Sequence, residues 1–94
     1  MEIQHFEKNN KGLFYIREDG KRLAEMTYSR ASESLIIIDH TDVSETLKGK
    51  GAGLQMVMEA VKYAREHQQK ILPLCPFAKS VFDKKPEIHD ILFH

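Results

Sequence analysis

The sequence predicts an α+β fold that combines an antiparallel hairpin with a parallel β-α-β unit. Two observations predict this class. An Asp19-Gly20 turn joins two strand-like runs near the N-terminus, and this dipeptide is typical of hairpin turns. Further along, a glycine-rich turn and one long amphipathic helix separate two apolar strand-like runs. Because 94 residues are enough chain for one domain, we expect a single domain over residues 1–94.

The strands are predicted from their apolar patterns. The hairpin strands cover Leu13–Arg17 and Arg22–Ser29, and the second alternates between two faces. The next strand begins with Leu35–Ile38, which is apolar at every position and is typical of a central strand covered on both sides. It continues to Val43, and polar residues enter only at its C-terminal end, where α/β sheets usually bind ligands.

The helix follows the glycines and is predicted to end at about His67–Gln69. One face is apolar at helical spacing, and the other is polar and expected to face water. A strand at Ile71–Leu74 should then run parallel to the central strand, because a helix connects the two. Phe77–Lys84 can form a short helix, which Pro86 ends. The apolar positions are Leu54, Val57, Met58, Val61 and Ala64, and the polar positions are Glu59, Lys62, Arg65, Glu66 and Gln69.

The charge balance limits the class of ligand. Lys plus Arg and Asp plus Glu are both 14, and a net charge of zero argues against a dedicated nucleic-acid binder. Residues 1–47 hold six basic and nine acidic side chains, whereas residues 48–94 hold eight and five. An anionic ligand is therefore expected beside the second half of the chain.

Other features indicate the compartment. The longest apolar run is the eight residues Ile71–Ala78, too short for a membrane span, and the N-terminus does not resemble a signal peptide. Cys75 is the single cysteine, so an internal disulfide and a zinc ribbon are both excluded. The histidines share no metal-ligand spacing, and we expect no metal site. A cytoplasmic protein without a membrane partner is predicted.

The segment between the central strand and the helix, Lys48–Gly53, indicates a phosphate site. Its alternating glycines allow positive φ and let a ligand approach the backbone closely. The first amides of the helix have no partner inside the helix and carry the positive end of its dipole. Lys48 and Lys50 add positive charge. The alternative is a glycine-rich turn that binds nothing.

Three phosphate-binding patterns compete for this turn. The P-loop is absent, because Leu54 and Gln55 stand where Lys and Ser or Thr are required. The dinucleotide pattern G-x-G-x-x-G also fails, because Leu54 or Met56 occupies its last glycine position. The third is the acetyl-CoA pyrophosphate loop, R/Q-x-x-G-x-G/A. Lys48–Gly53 resembles it, with lysine in place of arginine or glutamine.

Three segments together resemble a known family. They are His40-Thr41-Asp42-Val43, similar to an H-T-x-V strand end, the Gly49–Gly53 loop with its helix, and Cys75-Pro76-Phe77, similar to a C-P-F motif. The chain is identified by them as a member of the GNAT N-acetyltransferase superfamily, in its very small stand-alone subfamily. The resemblance spans about Leu13 to Pro86.

The resemblance implies a minimal GNAT fold: a mixed, mostly antiparallel sheet whose central parallel strands splay apart to admit acetyl-CoA. The pantetheine arm would follow the strand end, and the pyrophosphate would lie on the loop amides. Small members lack the helices with which larger ones build an acceptor pocket. The expected cofactor-binding residues are Thr41, Asp42, Val43, Lys48, Gly49, Lys50, Gly51, Ala52 and Gly53.

Cys75 and His40 are the candidate catalytic residues. Both should lie at the C-terminal ends of parallel strands, facing each other across the opening. In a direct mechanism, His40 takes a proton from an amine that attacks the thioester. In a covalent mechanism, the Cys75 thiolate attacks first and carries the acetyl group. The alternatives are a buried cysteine that only packs and a hydrogen-bonded histidine at a strand end.

Three functions follow from these residues. The first is an acetyl-CoA-dependent N-acetyltransferase acting on an unidentified amine, either a small molecule or a protein. The second is a non-catalytic acetyl-CoA or CoA-binding module or sensor. The third is a domain without a ligand. We expect a monomer or a weak homodimer, because edge strands of so small a sheet can pair.

Overall fold

A computed structural model describes residues 1–94, which form one five-stranded sheet and two α-helices. The strands lie in the sheet in the order in which they occur in the chain. Short 3-10 turns precede the first helix and follow the second. The elements are β1 (Gln4–Lys8), β2 (Lys11–Glu18), β3 (Lys21–Ser32), β4 (Leu35–Val43), a 3-10 turn (Glu45–Leu47), α1 (Ala52–Glu66), β5 (Lys70–Pro73), α2 (Pro76–Lys84) and a second 3-10 turn (Pro86–Ile91).

The sheet is mixed, as predicted. Strands β1 to β4 pair antiparallel, and β4 pairs with β5 in parallel. The β2–β3 hairpin turns at Asp19 and Gly20, whose φ angles of 52° and 77° are those of a primed hairpin turn. The parallel pair is joined through α1, which completes the expected β-α-β unit. The α+β class is therefore confirmed.

Both helices contribute to one core on one face of the sheet. Alternate strand residues point inward, such as Phe14, Met26 and Ile38, and they form a single buried cluster with α1, α2 and the C-terminal turn. The residues between them in the strands, such as Leu13 and Ile37, are only half-buried. The central strand is thus covered fully on one face rather than on both.

The helix prediction needs two corrections. Leu54, in the first turn of α1, is 38% exposed although it was expected on the buried face. Gln69, expected to face water, is 7% exposed and donates from Nε2 to the carbonyl of Glu33, because α1 has already ended at Glu66.

Strand β5 separates from β4 at its C-terminal end. Their pairing runs from Leu35–Lys70 to Ile38–Pro73 and stops there. Pro73 has no amide hydrogen, and the amides of Leu74 and Cys75 both donate to the Ile38 carbonyl. Strand β4 continues to Val43, paired only with β3. Residues 39–43 therefore have a free backbone edge, and an opening separates them from the chain after β5. No helix in this fold has the length and apolar character required to cross a membrane.

Candidate functional site

The loop before α1 owes its shape to two glycines. Gly49 and Gly51 have φ angles of 80° and 74°, a conformation that side chains with a Cβ rarely adopt. A Cβ built at either position would have no atom within 4 Å, so both glycines border open space. Gly51 is the N-cap residue of α1, and no side chain caps the helix.

A row of backbone amides at this point has no hydrogen-bond partner. The first internal bond of the helix start runs from the Gln55 amide to the Gly51 carbonyl at 3.0 Å. The amides of Gly49, Gly51, Ala52, Gly53 and Leu54 donate to no protein atom. Unpaired amides at a helix N-terminus carry the positive end of the dipole, so this row suits an anion.

These amides open into a cleft of about 410 Å³ between the end of β4, the loop and the start of α2. Gly53 serves a different purpose from the other two glycines. A Cβ there would lie 2.7 Å from Cζ of Phe77, so the missing side chain lets the Phe77 ring form a wall of the cleft. The cleft is lined by Thr41, Val43, Leu47, Lys48, Gly49, Gly51, Ala52, Gly53, Leu54 and Phe77.

Two lysines provide positive charge at the loop. Lys48 Nζ lies 3.4 Å from Glu45 Oε1, but both side chains are more than three-quarters exposed, at 76% and 87%. Such a pair contributes little and opens readily. Lys50 is exposed and forms no ion pair. Both side chains are thus available to an anion held on the amides.

Cys75 contacts the cleft through Thr41. The cysteine is 5% exposed, and its Sγ donates to Oγ1 of Thr41 at 3.3 Å. Thr41 itself lines the cleft. The structure therefore brings together two of the residues predicted from the sequence, Thr41 in β4 and Cys75 at the N-cap of α2, two residues after β5.

His40 lies on the other face of β4, which corrects the expectation that it faces Cys75. A β-bulge interrupts the pairing, so that Tyr28 faces Ile38 and Thr27 faces His40. Asp39 is the extra residue and accepts hydrogen bonds from Thr27 and from Ser29. Paired residues share a face of a sheet, and Thr27 lies on the face away from the core. A bulge shifts the alternation by one residue, and the apolar pattern of the strand gave no sign of one.

The remaining predicted residues are divided between the two faces. Asp42 is exposed and borders a separate pocket beside Arg22 and Glu25 on β3. Three residues that line the cleft were not proposed as ligand-binding: Leu47, Leu54 and Phe77. The C-P-F motif contained Phe77, but its role depends on the contact with Gly53, which is distant in sequence.

Comparison with known proteins decides the family. The sequence profile of the GCN5-related N-acetyl-transferase family matches residues 13–91. The chain belongs to this family. A GCN5-like protein from Staphylococcus aureus, whose solution structure is known from NMR, supports the same assignment. It is 38% identical, the match covers 98% of our chain and 87% of that protein, and the TM-score is 0.74.

Larger members share the fold of this GCN5-related chain at low identity. A ribosomal-protein-alanine N-acetyltransferase from Brucella melitensis is 15% identical over 82% of the chain, with a TM-score of 0.67. GCN5 from Tetrahymena is 12% identical over 83% of the chain, also with a TM-score of 0.67. The chain spans only 62% and 51% of these two structures. No curated protein matches the sequence.

Proposed function

We propose that this chain binds acetyl-CoA in the cleft and transfers its acetyl group to an amine. The observation that carries the proposal is the row of unpartnered amides at the start of α1, beside two exposed lysines. Family membership supplies the reaction class. An aminoglycoside N-acetyltransferase with the same fold, 10% identical and with a TM-score of 0.58, was solved in complex with CoA.

The residues present fit each part of such a ligand. The amides of Gly49 and Gly51–Leu54 would hold the diphosphate, with Lys48 and Lys50 beside it. The free edge of β4 at Thr41–Val43 would pair with the amides of the pantetheine arm, as an added strand does. Acetyl-CoA supplies a thioester, which is reactive towards an amine nucleophile.

We propose the direct route for the transfer. His40 lies on the outer face of β4, beyond the point where the β4–β5 pairing stops, and in this route the acceptor approaches from that face. An acceptor amine that reaches the opening from outside can lose its proton to His40 as its nitrogen bonds to the thioester carbonyl carbon. The C–S bond then breaks, and coenzyme A leaves as the thiolate. The covalent route would begin at Cys75, whose thiol is hydrogen-bonded to Thr41 rather than to a base.

A titration with acetyl-CoA, followed residue by residue by NMR, tests the binding step. We expect the largest shifts at the amides of Gly49 and Gly51–Leu54. Gly51→Asn places a side chain over these amides, and asparagine tolerates positive φ. This variant should therefore fold and bind acetyl-CoA at least about tenfold more weakly, the loss expected for roughly one charge-assisted hydrogen bond.

Gly20→Asn is the matched control for this variant. Gly20 has a φ angle of 77° and open space around a Cβ, like Gly51, but it lies in the β2–β3 hairpin turn. It should bind acetyl-CoA like the unaltered chain. Equal affinity of both variants, or shifts confined to residues outside the cleft, would show that the amide row does not bind the carrier.

The alternative function is an acetyl-CoA-binding module without turnover. It would apply if the direct route does not operate, because the covalent route has no base to activate the thiol: Cys75 donates its side-chain hydrogen bond to Thr41. A screen of amines and peptides for acetylated product separates the two functions. Binding of acetyl-CoA without any product would favour the module.

A further inference from the structure

We propose that a second groove, next to the cleft, binds the nucleotide end of coenzyme A, and that Lys84 and Lys85 recognise its 3′-phosphate. This inference rests on the proposed function, since it extends the same ligand beyond the loop. The groove lies between the first turn of α1 and one stripe of α2, in which Phe77 is exposed and Val81 is buried, and it measures about 230 Å³. It is lined by Leu54, Phe77, Ser80, Val81, Lys84 and Lys85.

The groove is continuous with the cleft. Leu54 and Phe77 line both. A ligand whose diphosphate lies on the amides of Gly51–Leu54 therefore has this groove beside it, on the far side of two apolar side chains. Coenzyme A continues from its diphosphate into a ribose with a 3′-phosphate and an adenine base.

The chemistry of the groove matches that end of the molecule. Leu54 and Phe77 are large apolar side chains left 38% and 41% exposed, and Val81 lies on the same stripe of α2, four residues after Phe77. A flat aromatic base can cover such side chains, and bases stack well on aromatic rings. The apolar wall thus suits a purine.

The charges at the end of the groove suit a phosphate monoester. Lys84 forms no ion pair, and Lys85 Nζ lies 3.7 Å from Glu87 Oε2. Lys79, on a different stripe of α2, is instead paired with Asp83 at 3.2 Å. No carboxylate therefore competes with a phosphate for Lys84, whereas Glu87 partly neutralises the charge of Lys85. Pairs of opposite charge near a surface add a modest attraction that salt weakens.

Calorimetric titration with coenzyme A and with dephospho-coenzyme A, which lacks only the 3′-phosphate, tests the proposal. The unaltered chain should bind coenzyme A about three- to tenfold more tightly, the effect expected of roughly two exposed ion pairs. A double variant, Lys84→Gln with Lys85→Gln, should bind both ligands equally. Lys84→Gln alone should lose more of the difference than Lys85→Gln alone.

Lys79→Gln is the matched control, since it removes one charge from the same helix outside the groove. It should keep the full preference for coenzyme A. A chain that binds both ligands equally, or a double variant that keeps the preference, overturns the inference and leaves the proposed function intact. Failure to bind either ligand overturns both proposals.

The position of the base has its own readout. Adenosine 3′,5′-bisphosphate contains the base and both phosphates of this end without the pantetheine arm. Titrated into the labelled protein, it should shift the signals of Leu54, Phe77 and Val81. Shifts at Lys84 without any at these apolar residues would show a phosphate site only and would overturn the assignment of the groove to the base.

Discussion

The β-bulge at Asp39 decides which single residues meet at the candidate site. Before the bulge, even-numbered residues of β4 such as Ile38 face the core; after it, Thr41 faces the cleft and His40 faces outward. Because of the bulge, Thr41 lies on the core face, where it accepts a hydrogen bond from Cys75. His40 lies on the outer face. We therefore propose Cys75 as a residue that positions Thr41, and His40 as the candidate base.

Two alanine variants test this division of roles. His40→Ala should lower the rate of CoA release about 100-fold with an amine acceptor, the effect typical of losing a general base, while the affinity for acetyl-CoA stays the same. Cys75→Ala should keep more than about a tenth of the rate, because the thiol of a positioning residue forms no bond to the acetyl group. Rates and binding are measured separately, by CoA release and by titration.

The opposite result has a clear meaning. If Cys75→Ala abolishes transfer and the unaltered chain acquires an acetyl group on Cys75, detected by mass spectrometry of its peptides, the covalent route operates. An unchanged rate in both variants would remove this site from the reaction.

At the scale of elements, one shielded ion pair reinforces the antiparallel pairing that attaches strand β1 to β2. Arg30 on β3 binds Glu7 on β1 through two hydrogen bonds of 2.9 and 2.8 Å, and it also donates to Oη of Tyr63 at 2.9 Å. The Tyr28 hydroxyl donates to Glu7 as well, at 2.6 Å. Arg30 is only 13% exposed and Glu7 26%, so the pair is largely shielded from water.

Arg30→Met should destabilise the chain by roughly 1–3 kcal/mol, because Glu7 would keep its charge in a shielded place without its partner. Arg65→Met is the matched control: Arg65 binds Asp90 with the same two-bond geometry, at 2.9 and 2.7 Å, but both side chains are about half exposed, at 45% and 53%. Arg65→Met should lower the free energy of unfolding much less, since exposed ion pairs contribute little to stability. Urea denaturation of both variants provides the comparison. Equal losses of stability would show that shielding does not set the strength of the Glu7 pair.

The contrast between β4 and β1 shows what could be predicted at this scale. The apolar run Leu35–Ile38, the glycines and the periodic helix predicted the β-α-β unit, because each signal is local. Strand β1 was not predicted, because Phe6 and Ile3 are the only large apolar residues of its segment after Met1. It is an edge strand that pairs with β2, and its Glu7 binds Arg30, which is 23 residues away in sequence. Side chains that meet only after folding, such as Phe77 and Gly53, are equally invisible to a local pattern.

At the scale of the whole molecule, the cleft and the Glu7 pair lie at opposite ends of α1. The loop glycines are at its N-terminus, whereas Tyr63 near its C-terminus packs edge-on against the His5 ring of β1, and His67 stacks on Tyr63. That ring stacks on Phe14 with centroids 4.2 Å apart. Acid should therefore act first on the end of the fold that is distant from the proposed binding site.

Stability should fall as the pH is lowered, in two stages. Partial burial, with Arg30 and His67 nearby, lowers the pKa of His5 below its ordinary 6.5, despite the opposing charges of Glu7 and Glu59. The unfolded chain then binds the His5 proton more readily, so the stabilisation is complete above pH 6.5 and is lost as the pH falls below that value. The hydrogen bonds from Arg30 lower the pKa of Glu7 to about 2, so its contribution is present above its ordinary pKa of 4.5 and is lost between there and about 2.

Urea unfolding measured across this pH range tests both stages. His5→Asn should flatten the profile between about pH 5 and 7 and leave the acid stage in place. Glu7→Gln should remove the acid stage and leave the stage between about pH 5 and 7 in place. Its stability at neutral pH should be lower, because Arg30 loses its charged partner. If the unaltered chain is equally stable at pH 5 and pH 7, His5 is not held neutral by the fold. If Glu7→Gln retains the loss of stability below pH 4.5, other carboxylates cause it.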